Sequence, residues 1–153
     1  MEFMERFRDD YDKGSFDPKW YTPDFTYVAP DGKVNEGREK SIEALKALYG
    51  PLPGWRHEAT YLNCYETESG QEMIGKATMW VDLPGEPAVG ENKTTDGNGK
   101  QWDLAGPGTF LFQYVSGGDG FAVKRLEITA DTSQLVIGML KRGVVSPKDL
   151  GMA

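Results

Sequence analysis

The chain has 153 residues, of which 39% are hydrophobic and 27% charged, and a formal net charge of -7. That length and balance suit one folded domain spanning residues 1–153 and exclude a disordered chain. The acidic balance, with no basic run longer than Lys124-Arg125 or Lys141-Arg142, speaks against nucleic acid and against an anionic membrane surface, since both need a basic face.

In chain order, residues 1–13 place Phe3, Met4, Phe7 and Tyr11 at helical spacing, and Gly14 ends that helix. Its charged start is no signal peptide, and no segment is long enough to span a bilayer, so a cytoplasmic protein is expected. Asp17-Pro18 opens a short second turn through Trp20, with Asp17 as cap. Phe25 to Val28 reads as a short strand closed by Pro30-Asp31-Gly32. Arg38 to Tyr49 is an amphipathic helix with Ile42, Leu45, Leu48 and Tyr49 as its apolar stripe, stopped by Gly50-Pro51.

Trp55 to Glu66 and Gln71 to Leu83 are long strand candidates around a turn at Glu68-Ser69-Gly70. Phe110 to Val115 and Phe121 to Thr129 form another hairpin, with Gly117-Gly118-Asp119-Gly120 as its turn. Between them, residues 84–108 are rich in Gly, Pro, Asn and Lys, and read either as a mobile lid or as a solvated excursion. Asp131-Thr132 caps a last helix through Leu140, which Gly143 ends. Cys64 is the single cysteine, so no internal disulfide forms, and one His with one Cys cannot build a zinc site; no metal is expected. Helices early and a meander late predict an α+β domain in which helices pack on one face of a strongly bent, mixed or antiparallel sheet. The hollow of such a cone-shaped barrel is a natural site for an apolar small molecule.

The segment Asp24-Phe-Thr-Tyr-Val-Ala-Pro-Asp-Gly, followed by Glu36-Gly37-Arg38-Glu39 and a helix, resembles the nuclear transport factor two-like superfamily, and within it the SnoaL-like polyketide cyclases and isomerases. The closing segment Gly120-Phe-Ala-Val-Lys-Arg-Leu-Glu-Ile-Thr-Ala-Asp resembles the last strand of that family. His57-Glu58, Glu66-Thr67, Leu83-Pro84-Gly85, Trp102-Asp103, Phe110-x-Phe112-x-Tyr114 and Lys141-Arg142-Gly143 are further similar to a fungal branch of small secondary-metabolism proteins. The resemblance implies a cofactor-free isomerase or cyclase that moves protons on an aromatic polyketide or related metabolite, and a homodimer formed through the outer sheet face.

The resemblance also implies an acid–base carboxylate on the last strand, where Leu126-Glu127 stands. Strict alternation groups Phe121, Val123, Arg125, Glu127 and Thr129 on one face; with that face inward, Glu127 and Arg125 lie among apolar residues, and burial raises the glutamate toward neutrality. His57, the one histidine, titrates near neutral pH and is the second proton-transfer candidate. Arg38 could hold a developing enolate oxygen, and Tyr114, which shares parity with Phe110 and Phe112, could donate to a substrate oxygen. Tyr61 shares parity with His57, and Trp80 and Trp102 serve as pocket walls or as core. In the superfamily's steroid isomerases a base follows the first strand; Ala29 stands there, which argues against that mechanism. A dehydratase, a non-catalytic carrier and a scaffold dimer remain open alternatives, separated by the presence of a cavity and of an acid or base facing it.

Overall fold

The computed structural model describes residues 2–117 and 120–151. In chain order it contains α1 (Glu2–Asp12), a 3-10 turn (Pro18–Trp20), β1 (Tyr21–Val28), β2 (Val34–Glu36), α2 (Arg38–Tyr49), β3 (Gly54–Thr67), β4 (Gly70–Asp82), β5 (Thr94–Thr95), β6 (Gln101–Trp102), β7 (Leu104–Gly117), β8 (Gly120–Ala130), α3 (Ser133–Lys141) and a closing 3-10 turn (Pro147–Leu150). Six strands form one curled sheet in the order β2-β1-β8-β7-β4-β3, and β5 and β6 form a separate small ladder. β1 runs parallel to β8, and every other pairing in this sheet is antiparallel, so the sheet is mixed, one of the two arrangements the sequence left open. Gly118 and Asp119 of the expected turn between β7 and β8 lie outside the described residues. Among the described residues no helix is long and apolar enough to cross a membrane.

Two elements start earlier than their local sequence suggests. β1 begins at Tyr21 rather than Phe25, and its parallel register against β8 breaks between Tyr21 and Thr26, around Pro23, which has no N–H for a ladder. β7 begins at Leu104 rather than Phe110. Gly106, Pro107 and Gly108 hide this extension, yet they pair with Met79, Thr78 and Ala77. Pro107 is tolerated because β8 pairs with β7 only from Gly108 onward, so β7 is locally an edge.

The concave side of the sheet carries α1 and α2. Phe7, Tyr11, Tyr49, Phe25, Tyr27 and Leu45 are all buried there, and the packing is largely ring against ring. Ser41 fixes α2 to the sheet: its single hydroxyl proton is shared between Asn35 O at 2.7 Å and Phe25 O at 3.0 Å. Two β-bulges interrupt the long strands. Thr60 is unmatched between Ala59 and Tyr61 in the β3–β4 ladder, and Lys124 is unmatched between Val123 and Arg125 in the β7–β8 ladder. Each extra residue turns the remainder of its strand over, exchanging its inner and outer side chains.

Residues 84–103 are tied down away from the concave side. Arg142, just past α3 and almost fully buried, donates to Leu83 O at 2.8 Å and Gly85 O at 3.2 Å, and pairs with Glu91 at 2.6 Å and Asp103 at 3.1 Å. Asp96 accepts from Arg56 at 2.6 Å and from the Trp102 indole at 2.9 Å.

Candidate functional site

The concave face encloses a cavity of about 550 Å³ between the sheet and the helices. Its wall is mostly carbon: Phe7 from α1, Met73, Ala77 and Met79 from β4, Phe112 from β7 and Leu126 from β8. Glu5 and Arg8 of α1 and Asp131 before α3 stand at its exposed rim. No residue from 84 to 103 lines it, whereas residues 104–108 line it as the first part of β7. The segment read as a lid or a solvated excursion therefore divides into a tethered excursion and a strand.

His57 supplies the imidazole of this cavity. Its Nδ1 lies 2.6 Å from Asp12 Oδ1, and its backbone N–H donates to Asp12 Oδ2 at 3.1 Å. A carboxylate can only accept, so Nδ1 carries a proton, and in the neutral ring Nε2 then presents a lone pair. That lone pair faces the Tyr49 hydroxyl at 3.2 Å. Burial pushes the Tyr49 phenol up to about 12, with the adjacent Tyr11 hydroxyl acting in the opposite direction, so Tyr49 stays a neutral donor at physiological pH. The Tyr11 and Tyr49 rings meet the imidazole edge to face at 5.6 and 5.8 Å and hold its plane.

Local sequence explains how these groups meet. Asp12 is the last residue of α1, and Gly14 turns the chain with φ 73°. A side chain at Gly14 would meet the Trp55 ring at 3.3 Å, so the glycine lets the end of α1 approach the start of β3. Tyr49 is the last residue of α2, and its ring packs on Trp55 at 5.0 Å.

The predicted residues divide sharply. His57, Tyr114 and Phe112 line the cavity. Glu127 and Arg125 do not: the bulge at Lys124 turns Leu126, Ile128 and Ala130 inward, and leaves Arg125 and Glu127 paired with each other at 2.5 Å on the outer face, each about one-third exposed. The expected buried, cavity-facing Glu127 is thus corrected. Tyr61 is misplaced for the same reason. The bulge at Thr60 brings Leu62 and Cys64 inward and leaves Tyr61 outside, 58% exposed. Trp80 lies on the outer face, where its indole donates to Glu58 at 2.9 Å. Trp102 is buried away from the cavity, bonded to Asp96 and covered by Lys100 at 3.5 Å. Arg38 starts α2 beside a separate shallow depression with Glu36 and Glu39, so it does not reach the imidazole. Asp12, Tyr11 and Tyr49 are the polar groups that sequence reasoning passed over; their one signal is a position at the C-terminal end of each early helix, where the chain turns back toward the sheet.

No protein-family model and no curated protein sequence matches the chain. Solved structures do match in shape. A dehydratase proposed in the NTF2-like (nuclear transport factor two-like) family of Streptomyces avermitilis superposes with a TM-score of 0.64 at 11% identity, over 84% of this chain and 91% of that one. A proposed scytalone dehydratase from Novosphingobium aromaticivorans gives 0.62 at 12% identity, over 85% and 80%. An NTF2-like protein with a cystatin-like fold from the same organism gives 0.59 at 11% identity, over 95% and 85%. The chain has the NTF2-like, cystatin-like fold: mixed α+β, three helices and a large curled sheet around a cavity.

Proposed function

We propose that this protein is an acid–base enzyme that isomerises or cyclises an apolar, ring-containing carbonyl compound without a cofactor. The observation that carries this reading is the Asp12–His57–Tyr49 chain set into the wall of an otherwise apolar cavity. Such a cavity offers a ligand little except burial, so the imidazole and phenol stand out as its chemistry. The shared fold with proteins proposed as dehydratases supports the same class of proton transfer.

In this mechanism a carbonyl oxygen displaces His57 Nε2 as the acceptor of the Tyr49 hydroxyl. The freed Nε2 then takes a proton from the carbon next to the carbonyl, and the C–H electron pair becomes the enolate π bond. Asp12 stabilises the imidazolium and keeps Nε2 directed at the cavity. Where the substrate carries a β,γ double bond, the enolate is conjugated with it, and return of the proton from the imidazolium to the γ carbon moves the double bond next to the carbonyl and completes an isomerisation. Attack of the enolate carbon on a second carbonyl within the substrate closes a ring, and the alkoxide so formed takes the proton back from the His57 imidazolium; where the β carbon carries a hydroxyl, its C–O bond breaks instead and the same proton lets it leave as water.

The test is hydrogen–deuterium exchange at the carbon beside the carbonyl of 2-tetralone in D2O, followed by NMR. The expected result is exchange above the buffer rate with the native protein and buffer-rate exchange with His57→Gln. A native protein that binds 2-tetralone and leaves its exchange rate at the buffer value is a carrier, and the enzyme reading is then wrong.

A further inference from the structure

The Tyr49 hydroxyl serves the imidazole only while it points at His57 Nε2, and α2 alone does not hold it there. Tyr49 is the last residue of α2, so no further turn of its own helix stands over the ring, and Gly50-Pro51 carry the chain away. Helical side chains lean back over the preceding turn, so α2 supports this ring from one side only. Three rings from other elements complete its setting: Trp55 at 5.0 Å, Tyr11 at 5.3 Å and Phe16 at 6.0 Å.

Trp55 differs from the other two. It stands two residues before His57 on β3, and the two share a face of that strand. On one side its ring meets Tyr49. On the other it closes on the turn after α1, where a Cβ at Gly14 would lie 3.3 Å from Trp55 Cη2 and 3.6 Å from Trp55 Cζ2. The indole therefore fills the corner between the C-terminal ends of α1 and α2, the two ends that carry Asp12 and Tyr49. It is half-buried and does not line the cavity. Tyr11, by contrast, lines the cavity and touches the imidazole, and Phe16 packs on both Tyr11 and Tyr49.

We propose that Trp55 is a positioning residue: its indole holds the Tyr49 hydroxyl against His57 Nε2, and it acts through Tyr49 without touching the ligand. The proposal rests on the reading that the Asp12–His57–Tyr49 chain performs the chemistry, and it adds the packed group that sets the geometry of that chain. A reacting group displaced by about 1 Å can lose about a hundredfold in rate, so a wall that never meets the substrate still governs turnover.

The test is a double-mutant cycle of Trp55→Leu with Tyr49→Phe, read in two ways. The first is the 15N NMR shift of His57 Nε2 in the ligand-free protein at about pH 9, where an ordinary imidazole is neutral. Tyr49→Phe and Trp55→Leu should each move Nε2 toward the shift of an imidazole nitrogen with a free lone pair, and the double variant should match Tyr49→Phe. An Nε2 shift unmoved by either single variant, or moved by Trp55→Leu just as far when the Tyr49 hydroxyl is absent, overturns the proposal. The second reading is 2-tetralone exchange in D2O. Trp55→Leu should slow it about tenfold to a hundredfold in the native background and by less than about twofold in Tyr49→Phe, with 2-tetralone affinity within about twofold of native. Equal slowing in both backgrounds is the mark of a general structural loss and overturns the proposal. A native protein that leaves 2-tetralone at the buffer rate overturns the acid–base reading, and the nitrogen shifts still decide whether Trp55 places Tyr49. Should Trp55→Leu not fold, Trp55→Met, a longer side chain without a ring, goes through the same cycle with the same results expected.

Discussion

Asp12 and His57 lie 45 positions apart in sequence, yet one carboxylate accepts both the Nδ1–H and the backbone N–H of the histidine. The double contact fixes the ring, its tautomer and the strand that carries it, which a single hydrogen bond could not do. Asp12→Asn keeps the shape and loses the charge. We expect it to slow 2-tetralone exchange roughly a hundredfold, within the range for general acid–base groups, while changing 2-tetralone affinity little. As His57 is the one histidine, its nitrogen NMR signals report directly on the tautomer. A native protein with the proton on Nε2 would contradict the assignment.

Glu127 provides the opposing control. It is paired with Arg125 on the outer face, so Glu127→Gln should leave ketone exchange within about twofold of native, as expected of an exposed ion pair that reaches no substrate. A hundredfold loss would return the acid–base role to the last strand.

Gly75 lies opposite the irregular part of β3. A Cβ there would sit 2.6 Å from Phe110 Cζ, 2.7 Å from Tyr61 O and 2.8 Å from Leu62 Cδ2. Backbone contact leaves little room to yield, so Gly75→Ala should destabilise by about 1–3 kcal/mol, the usual cost of overpacking. Urea unfolding measures it, and an unchanged midpoint would show that the strands part without cost.

Acid should loosen the tether of residues 84–103 before the rest of the chain. Hydrogen bonds from the Trp102 indole, the Lys100 and Asn98 N–H groups and Arg56 outweigh burial and hold Asp96 at about 2. Burial raises Asp103, but Lys93, the Leu83 N–H and Arg142 overcome it and also hold it at about 2. Both carboxyls are thus depressed from an ordinary 3.8, so their contribution is present above about 4 and is lost as pH falls toward 2. Thermal midpoints measured from pH 5 to 2 should fall in that window, and Asp103→Asn should make the fall shallower. A parallel curve for the variant would assign the acid sensitivity elsewhere.

The helices were legible from the sequence because a helix is a local object: the stripe of Ile42, Leu45 and Tyr49 and the stop at Gly50 place α2 without any partner. The bent sheet followed from element order; His57, Phe112 and Tyr114 were named as candidates without an assigned face, and they line the cavity where the local alternation of β3 and β7 is unbroken. Glu127, Arg125 and Tyr61 were misplaced because parity was carried across a bulge. No residue type marks Thr60 or Lys124 as the extra one; a bulge is a mismatch between two strands and exists only once they pair.

The amino-acid sequence by itself determined the fold class, the apolar character of the enclosed space and the one imidazole available to it, since these follow from hydrophobic periodicity, turn residues and composition. Tertiary structure alone decided which carboxylate serves that imidazole. Asp12 reaches His57 because α1 folds back over the curled sheet, and Glu127 is turned away by one unmatched residue in β8. Long-range packing and strand register set both outcomes, and neither is encoded within the span of a single strand or helix.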